Sequence, residues 1–162
     1  GGSAESTMMN STAPTSAANG GTISLGTAQG SNDSTDMVAY CWHSVPGYSA
    51  FGAYLPDGTT DNSFIATGFK PALVWIKSTT GGANWQIYDT ARDLFNPTRN
   101  FTSTNNTLAQ TTGFDIDILS NGFKIRSNNG PNGAATAGTP VIYCAWAENP
   151  FGGSNTVPVT AR

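Results

Sequence analysis

From Asp36 onward the chain is cut into apolar runs of three to six residues, closed off by glycine, proline, asparagine or threonine. None carries a helical period, and runs this short suit strands of an antiparallel sheet. The runs are Met37–Trp42, Ser49–Tyr54, Phe64–Ala66, Ala72–Lys77, Trp85–Tyr88, Phe114–Leu119, Phe123–Arg126 and Val141–Trp146. Met37–Trp42 is expected as a buried strand, and Ala72–Lys77 is the strongest strand in the chain. In Ser49–Tyr54, Phe51 and Ala53 share one face. Phe114, Ile116 and Ile118 alternate inward with Asp115 and Asp117 outward. Asn121-Gly122 is expected to turn that strand back into Phe123–Arg126. Helix is possible only around 89–95.

Composition points the same way. Thr, Gly, Ser and Asn make up 71 of the 162 residues, while Glu occurs twice and Lys three times. Helix surfaces draw on Ala, Leu, Glu and Lys, whereas Thr favours strands and Gly, Asn and Ser favour turns. The expected fold is therefore all-β, one antiparallel β-sandwich over 37–152, with an extended N-terminal arm at 1–36 and a tail at 153–162. The arm is poor in large hydrophobes and holds one short strand candidate, Thr22–Leu25.

Several function classes lose their footing on these residues. Seven Lys and Arg are spread through a chain of net charge −3, which leaves no basic patch for nucleic acid. No apolar stretch approaches the ~20 residues of a membrane span. The N-terminus has neither the charged nor the apolar region of a signal peptide. Two cysteines, Cys41 and Cys144, are too few for a disulfide framework or a zinc site. Laying Val38–Gly47 on Ile142–Phe151 matches a Trp, and a Pro four residues on, in each segment; the two cysteines then face opposite ways, as buried free thiols.

No catalytic or metal-binding residue is expected, nor any cofactor. His43 is the sole histidine and reads as structural. No nucleophile elbow, zinc motif or phosphate loop occurs. Asp115 and Asp117 are adjacent on one strand face and read as a solvated surface; Glu148 reads as the receiver of a backbone hydrogen bond. Together they are the carboxylates a glycosidase would draw on. Asp57–Asn62 has the oxygen-rich look of a calcium loop without its spacing, so an ordinary turn is expected. Asp89 and Arg92 suit a local ion pair. Trp75, Trp85, Tyr48, Tyr54 and Phe95 are candidates to line a sugar or receptor surface, most of them to be used up in the core.

Three ordered segments resemble a known group: Val38–Ser49 followed by Phe51–Tyr54, Thr67–Lys77, and Leu119–Ile125, with Ala147–Gly153 as a similar ending. They resemble a family of phage tail-fibre-like and virion structural proteins, over about 37–153. The resemblance implies a concanavalin-like (laminin-G-like, jelly-roll-like) sandwich, often in two repeats, with no catalytic residues and no ligand motif to carry over. Here the upstream repeat is nearly absent and 153–162 is a Ser/Pro/Thr tail, which suggests a fragment of a longer chain or an arm that pairs with a neighbour.

The expected function is a non-enzymatic virion module, tail-fibre or tail-associated, presenting a host-recognition surface open to glycan. The alternatives are a capsid decoration or cement protein and, more remotely, a glycan depolymerase. Expected partners are further copies of the chain, as a trimer, other virion proteins, and a host glycan or receptor, at the tail or capsid exterior.

Overall fold

The computed structural model describes Asp36, Val38 and residues 40–79, 83–128 and 139–150. Eight strands occur among them: β1 Ser49–Tyr54, β2 Phe64–Ala66, β3 Pro71–Ser78, β4 Gln86–Asp89, β5 Thr102–Ser103, β6 Ile116–Leu119, β7 Gly122–Ile125 and β8 Val141–Ala147. They form two sheets, one of five strands in the order β1-β8-β3-β4-β5 and one of three in the order β2-β7-β6. All pairings are antiparallel. The fold is a β-sandwich.

In the small sheet the alternation of the sequence becomes the two faces, while in the large sheet β3 and β8 are apolar on both. In β3 the cross-strand partners Val74 and Ala145, Ile76 and Tyr143, and Ser78 and Val141 share the inner face. Tyr54 from β1 and Tyr143 from β8 both set ring edges against Phe123 of β7, with centroids 6.4 and 5.5 Å apart, and so couple the sheets. Ile65, Ile116, Ile118 and Ile125 fill the small sheet's side. Full burial of each such side chain contributes roughly 1.5–3 kcal/mol. At one end Phe101 packs between Tyr88 and Phe114, with centroids 5.5 Å away in each case. Pro71 opens β3, the strand position where a missing N–H is tolerated, and the register shifts between Pro71 and Leu73.

Four expectations change. The chain divides into two compact units, 1–42 and 43–162. In the first, the described part of Met37–Trp42 is neither strand nor buried: Val38 is 79% and Tyr40 77% exposed, and Tyr40 stacks on Trp42 at 6.1 Å. Tyr40 and Trp42 meet each other's rings and not a ladder. Its proposed echo, Ile142–Trp146, lies within β8, paired on both sides, so the matched letters have unlike structures. Thr22–Leu25 and the tail at 153–162 lie outside the described residues.

The turn between β6 and β7 also differs. Leu119 pairs with Gly122, so the two-residue loop is Ser120-Asn121 and Gly122 is already strand. The Asn121 carbonyl accepts the Thr67 and Gly68 amides, tying this turn to the end of β2. Finally, Asp89 closes β4 and 90–95 is irregular chain of turns and bends. The Asp89 carboxylate accepts the Ala91 and Arg92 amides as a helix cap would. Asp93 then accepts the Arg99 and Asn100 amides and folds the chain back before a helical turn can repeat. The short β5 carries no alternating pattern and was not anticipated.

Candidate functional site

The outer faces of the two sheets are chemically opposite. On the large sheet, cross-strand partners bring Phe51, Cys144, Trp75 and Ile87 into one row, with Trp146 and Leu73 in the next. Phe51 meets Trp146 edge-on at 5.5 Å, Trp146 meets Trp75 at 5.5 Å, and Trp75 meets Trp85 at 6.3 Å. These rings are half-buried and pack on one another's edges, so they form an apolar layer and not a flat platform for sugar stacking. Among the other aromatic candidates, Tyr54 is core, Tyr48 is exposed, and Phe95 stands out on the β4–β5 loop at 81% exposure.

On the small sheet the outer face is charged. Asp117 of β6 lies opposite Lys124 of β7, and the Arg126 amide donates to the Asp115 carbonyl. Arg126 Nε is 3.4 Å from Asp117 Oδ2, and Arg99 Nε is 3.4 Å from Asp115 Oδ2. Asp61 reaches in from the β1–β2 loop to Lys124 Nζ at 2.6 Å and Arg126 Nη1 at 3.0 Å. The Lys124 hydrogen bond and charge hold the Asp61 carboxyl below the ordinary carboxylate range. Thr60, Asp61, Pro97, Arg99, Asp115, Asp117 and Arg126 line a cleft of about 350 Å³.

Both loop walls are pinned from behind. Buried Asn62 accepts the Asp57 and Ser63 amides and donates to the Ser127 carbonyl. Asp57 in turn accepts the Thr59 amide and hydroxyl, so Asp57–Asn62 is the turn expected from its residues. On the other side, Asn96 donates to the Ile118 carbonyl at 2.7 Å and accepts the Ile118 amide at 2.9 Å, taking the place of a neighbouring strand. Thr98 and Ile116 exchange both backbone bonds. Asp93 accepts the Asn100 side-chain amide besides the two backbone N–H groups. The cleft is held open by hydrogen bonds that do not themselves point into it.

A family model matches residues 1–150. The chain belongs to the family described as Domain of unknown function (DUF7483). No curated protein and no solved structure matches it. For this DUF7483 member, then, any site is read from its own residues.

Only some of the residues singled out in the sequence are brought together: Asp115 and Asp117, with Asp61 of the 57–62 loop. Asp115 and Asp117 share the cleft, half-buried and ion-paired. Glu148 lies elsewhere, in an ion pair with the nearly buried Lys70, and its amide donates to the Lys70 carbonyl. His43 is exposed, its Nδ1 3.0 Å from the Ser44 carbonyl oxygen. Asp89 and Arg92 form the expected ion pair at 2.8 Å. Cys41 and Cys144 are both free, as expected, but neither is fully buried: Cys41 is exposed and Cys144 half-buried, its thiol pushed up by burial. No group of three metal-capable side chains occurs among the described residues. Thr60, Pro97, Arg99 and Arg126 were missed as site residues. Part of the signal was available, since Asp-x-Asp at 115–117 and Lys-x-Arg at 124–126 flank one tight hairpin and fall on the same face.

Proposed function

We propose that this chain is a non-enzymatic module of a bacteriophage virion, tail-fibre or tail-associated, that presents a host-recognition surface. The ordered motifs at 38–54, 67–77, 119–125 and 147–153 support the virion assignment. One observation carries the non-catalytic part: the three carboxylates that the sequence offers for hydrolysis do not converge, since Asp115 and Asp117 share the cleft beside Arg99 and Arg126 while Glu148 pairs with Lys70 elsewhere. A glycosidase needs one carboxyl that stays protonated and a second across the scissile bond. Asp115 and Asp117 stand side by side on one strand face, and Glu148 lies outside the cleft. The expected assembly is a homotrimer seated against other virion proteins, with a host glycan or receptor as the outward partner; the threefold rests on analogy with fibres.

Immunogold labelling of intact virions with antibody to this chain tests the reading. Label at the tail or its fibres is the expected result. Label over the capsid surface would make the chain a decoration protein, and unlabelled virions would sink the assignment. Incubation with host polysaccharide is expected to release no reducing sugar. Release that disappears in Asp117→Asn would establish a depolymerase.

A further inference from the structure

We infer that the cleft on the outer face of the three-stranded sheet is a binding site for a neutral saccharide of one or two rings. The inference rests on the recognition role proposed above and gives it a place and a ligand class. Its first support is concentration of charge. Three of the chain's seven Lys and Arg, namely Arg99, Lys124 and Arg126, and three of its ten acidic residues, Asp61, Asp115 and Asp117, meet on this one small sheet. No other part of the described residues gathers as many ion pairs: Asp89 with Arg92 and Lys70 with Glu148 stand as separate pairs.

The second support is how loosely two of the pairs are closed. Charge-assisted N–H···O bonds run at ~2.7–2.9 Å, whereas Arg99 and Arg126 stand 3.4 Å from Asp115 and Asp117. Asp115 and Asp117 therefore keep acceptor capacity, and the two guanidinium groups keep donors, on the walls of a cleft of about 350 Å³. Vicinal hydroxyls both donate and accept across a short span. They fit a carboxylate beside a guanidinium better than any group that only donates or only accepts. The Thr60 hydroxyl adds to the polar lining, and the Pro97 ring supplies an apolar surface for the C–H face of a sugar.

Charge balance selects among ligands. Three carboxylates facing two guanidinium groups and a neighbouring ammonium leave almost no net charge, so an anion gains little. A cation would have to displace guanidinium partners already in place. A peptide would want apolar anchor pockets, and Pro97 is the one apolar residue of the lining. The volume lies at the small end of the ~300–1,000 Å³ typical of ligand sites, which sets the one- or two-ring limit. The walls are pre-formed through Asn62, Asp93 and Asn96, so little ordering cost opposes binding.

The test titrates the full ¹⁵N-labelled chain with a panel of neutral mono- and disaccharides, with sialyllactose, a galacturonate disaccharide and a proline-rich peptide as controls. Saturable shifts of the Thr60, Arg99, Asp117 and Arg126 amides with one or more neutral sugars are expected. Arg99→Ala and Asp117→Asn should weaken that affinity at least tenfold, with circular dichroism and thermal midpoint checking the fold. Arg92→Ala, outside the cleft, should leave affinity unchanged. Preference for the acidic sugars or the peptide, affinity indifferent to both cleft variants, or no cleft shift with any neutral sugar would overturn the inference. Virions still labelled at the tail in that last case would leave the proposed function standing, whereas unlabelled virions with intact sugar binding would remove only the function.

Discussion

At the scale of single residues, Gly122 and Lys70 show two ways in which a position is constrained. Gly122 matters through space. A Cβ there would lie 2.1 Å from the Ile65 carbonyl oxygen and 3.1 Å from the Phe64 ring, so β2 and β7 can approach only if position 122 has no side chain. Gly122→Ala is expected to cost about 3 kcal/mol, the upper end of overpacking penalties because the clash is with backbone. A fall in the urea midpoint checks it; an unchanged midpoint would mean that β2 moves aside freely. Lys70 matters through charge. Its side chain is nearly buried whereas Glu148 is partly exposed. Removing Glu148 strands a buried ammonium, while removing Lys70 leaves a carboxylate that water can reach. Glu148→Ala should therefore destabilise by about 2 kcal/mol, below the ~3–5 kcal/mol of a fully buried pair because solvent screens part of it. Lys70→Met should cost clearly less, and the reverse order in chemical denaturation would refute this account.

At the scale of elements, the small sheet depends on a loop to complete its edge. The 96–98 segment lies beside β6, with Asn96 bonding both backbone groups of Ile118 and Thr98 pairing with Ile116. Asn96→Ala leaves a buried amide and carbonyl without that partner, at a cost of about 1–3 kcal/mol. Amide exchange should accelerate at Ile118 more than at Val74 in β3; uniform acceleration would mean that the loop supports the whole sandwich and not this edge. The inter-sheet layer has its own pH signature. Burial raises the phenol pKa of both Tyr54 and Tyr88 above the ordinary value of 10.0. A raised folded-state value gives stability that is complete below pH 10 and is lost as pH climbs past it, because the unfolded chain ionises first. Alkaline unfolding should begin above pH 10, and Tyr54→Phe should shallow its slope. A slope identical to wild type would show that Tyr54 does not drive it.

At the scale of the whole molecule, the apolar outer face of the large sheet and the long N-terminal segment bear on assembly. Residues 1–36 hold Met8, Met9, Ile23 and Leu25 as their large hydrophobes. Ordering a segment costs ~1–2 kcal/mol per residue in backbone entropy, against ~0.8 kcal/mol for each buried CH₂. So few side chains do not offset that cost within the segment alone, so an ordered segment would need partners beyond it. Light scattering is expected to give an oligomeric mass, a trimer, for the full chain and a smaller one after deletion of 1–36. Folded monomers in both cases would make the segment a passive tether.

The sequence by itself determined most of the strands and the inward face of the 114–119 run. Period-two alternation at 114–119 leaves one way to bury Ile116 and Ile118, and turn residues between the runs separate the strands, whereas at 72–77 four consecutive large apolar residues leave the buried face open. It also made Asp89 with Arg92 and the Asp57–Asn62 turn legible, because both are closed by bonds between residues at most five apart. It misled at Met37–Trp42, where an apolar run looks the same whether its rings meet a core or each other. Only the tertiary structure decided the cleft, which joins Asp61, Arg99, Asp115 and Arg126 from three separate stretches of chain. Their sequence separations carry no periodicity. The structure also decided which side chains meet on those outer faces, Asp117 beside Lys124 and Trp75 beside Cys144, since that follows from cross-strand register, a relation between strands that neither strand contains alone.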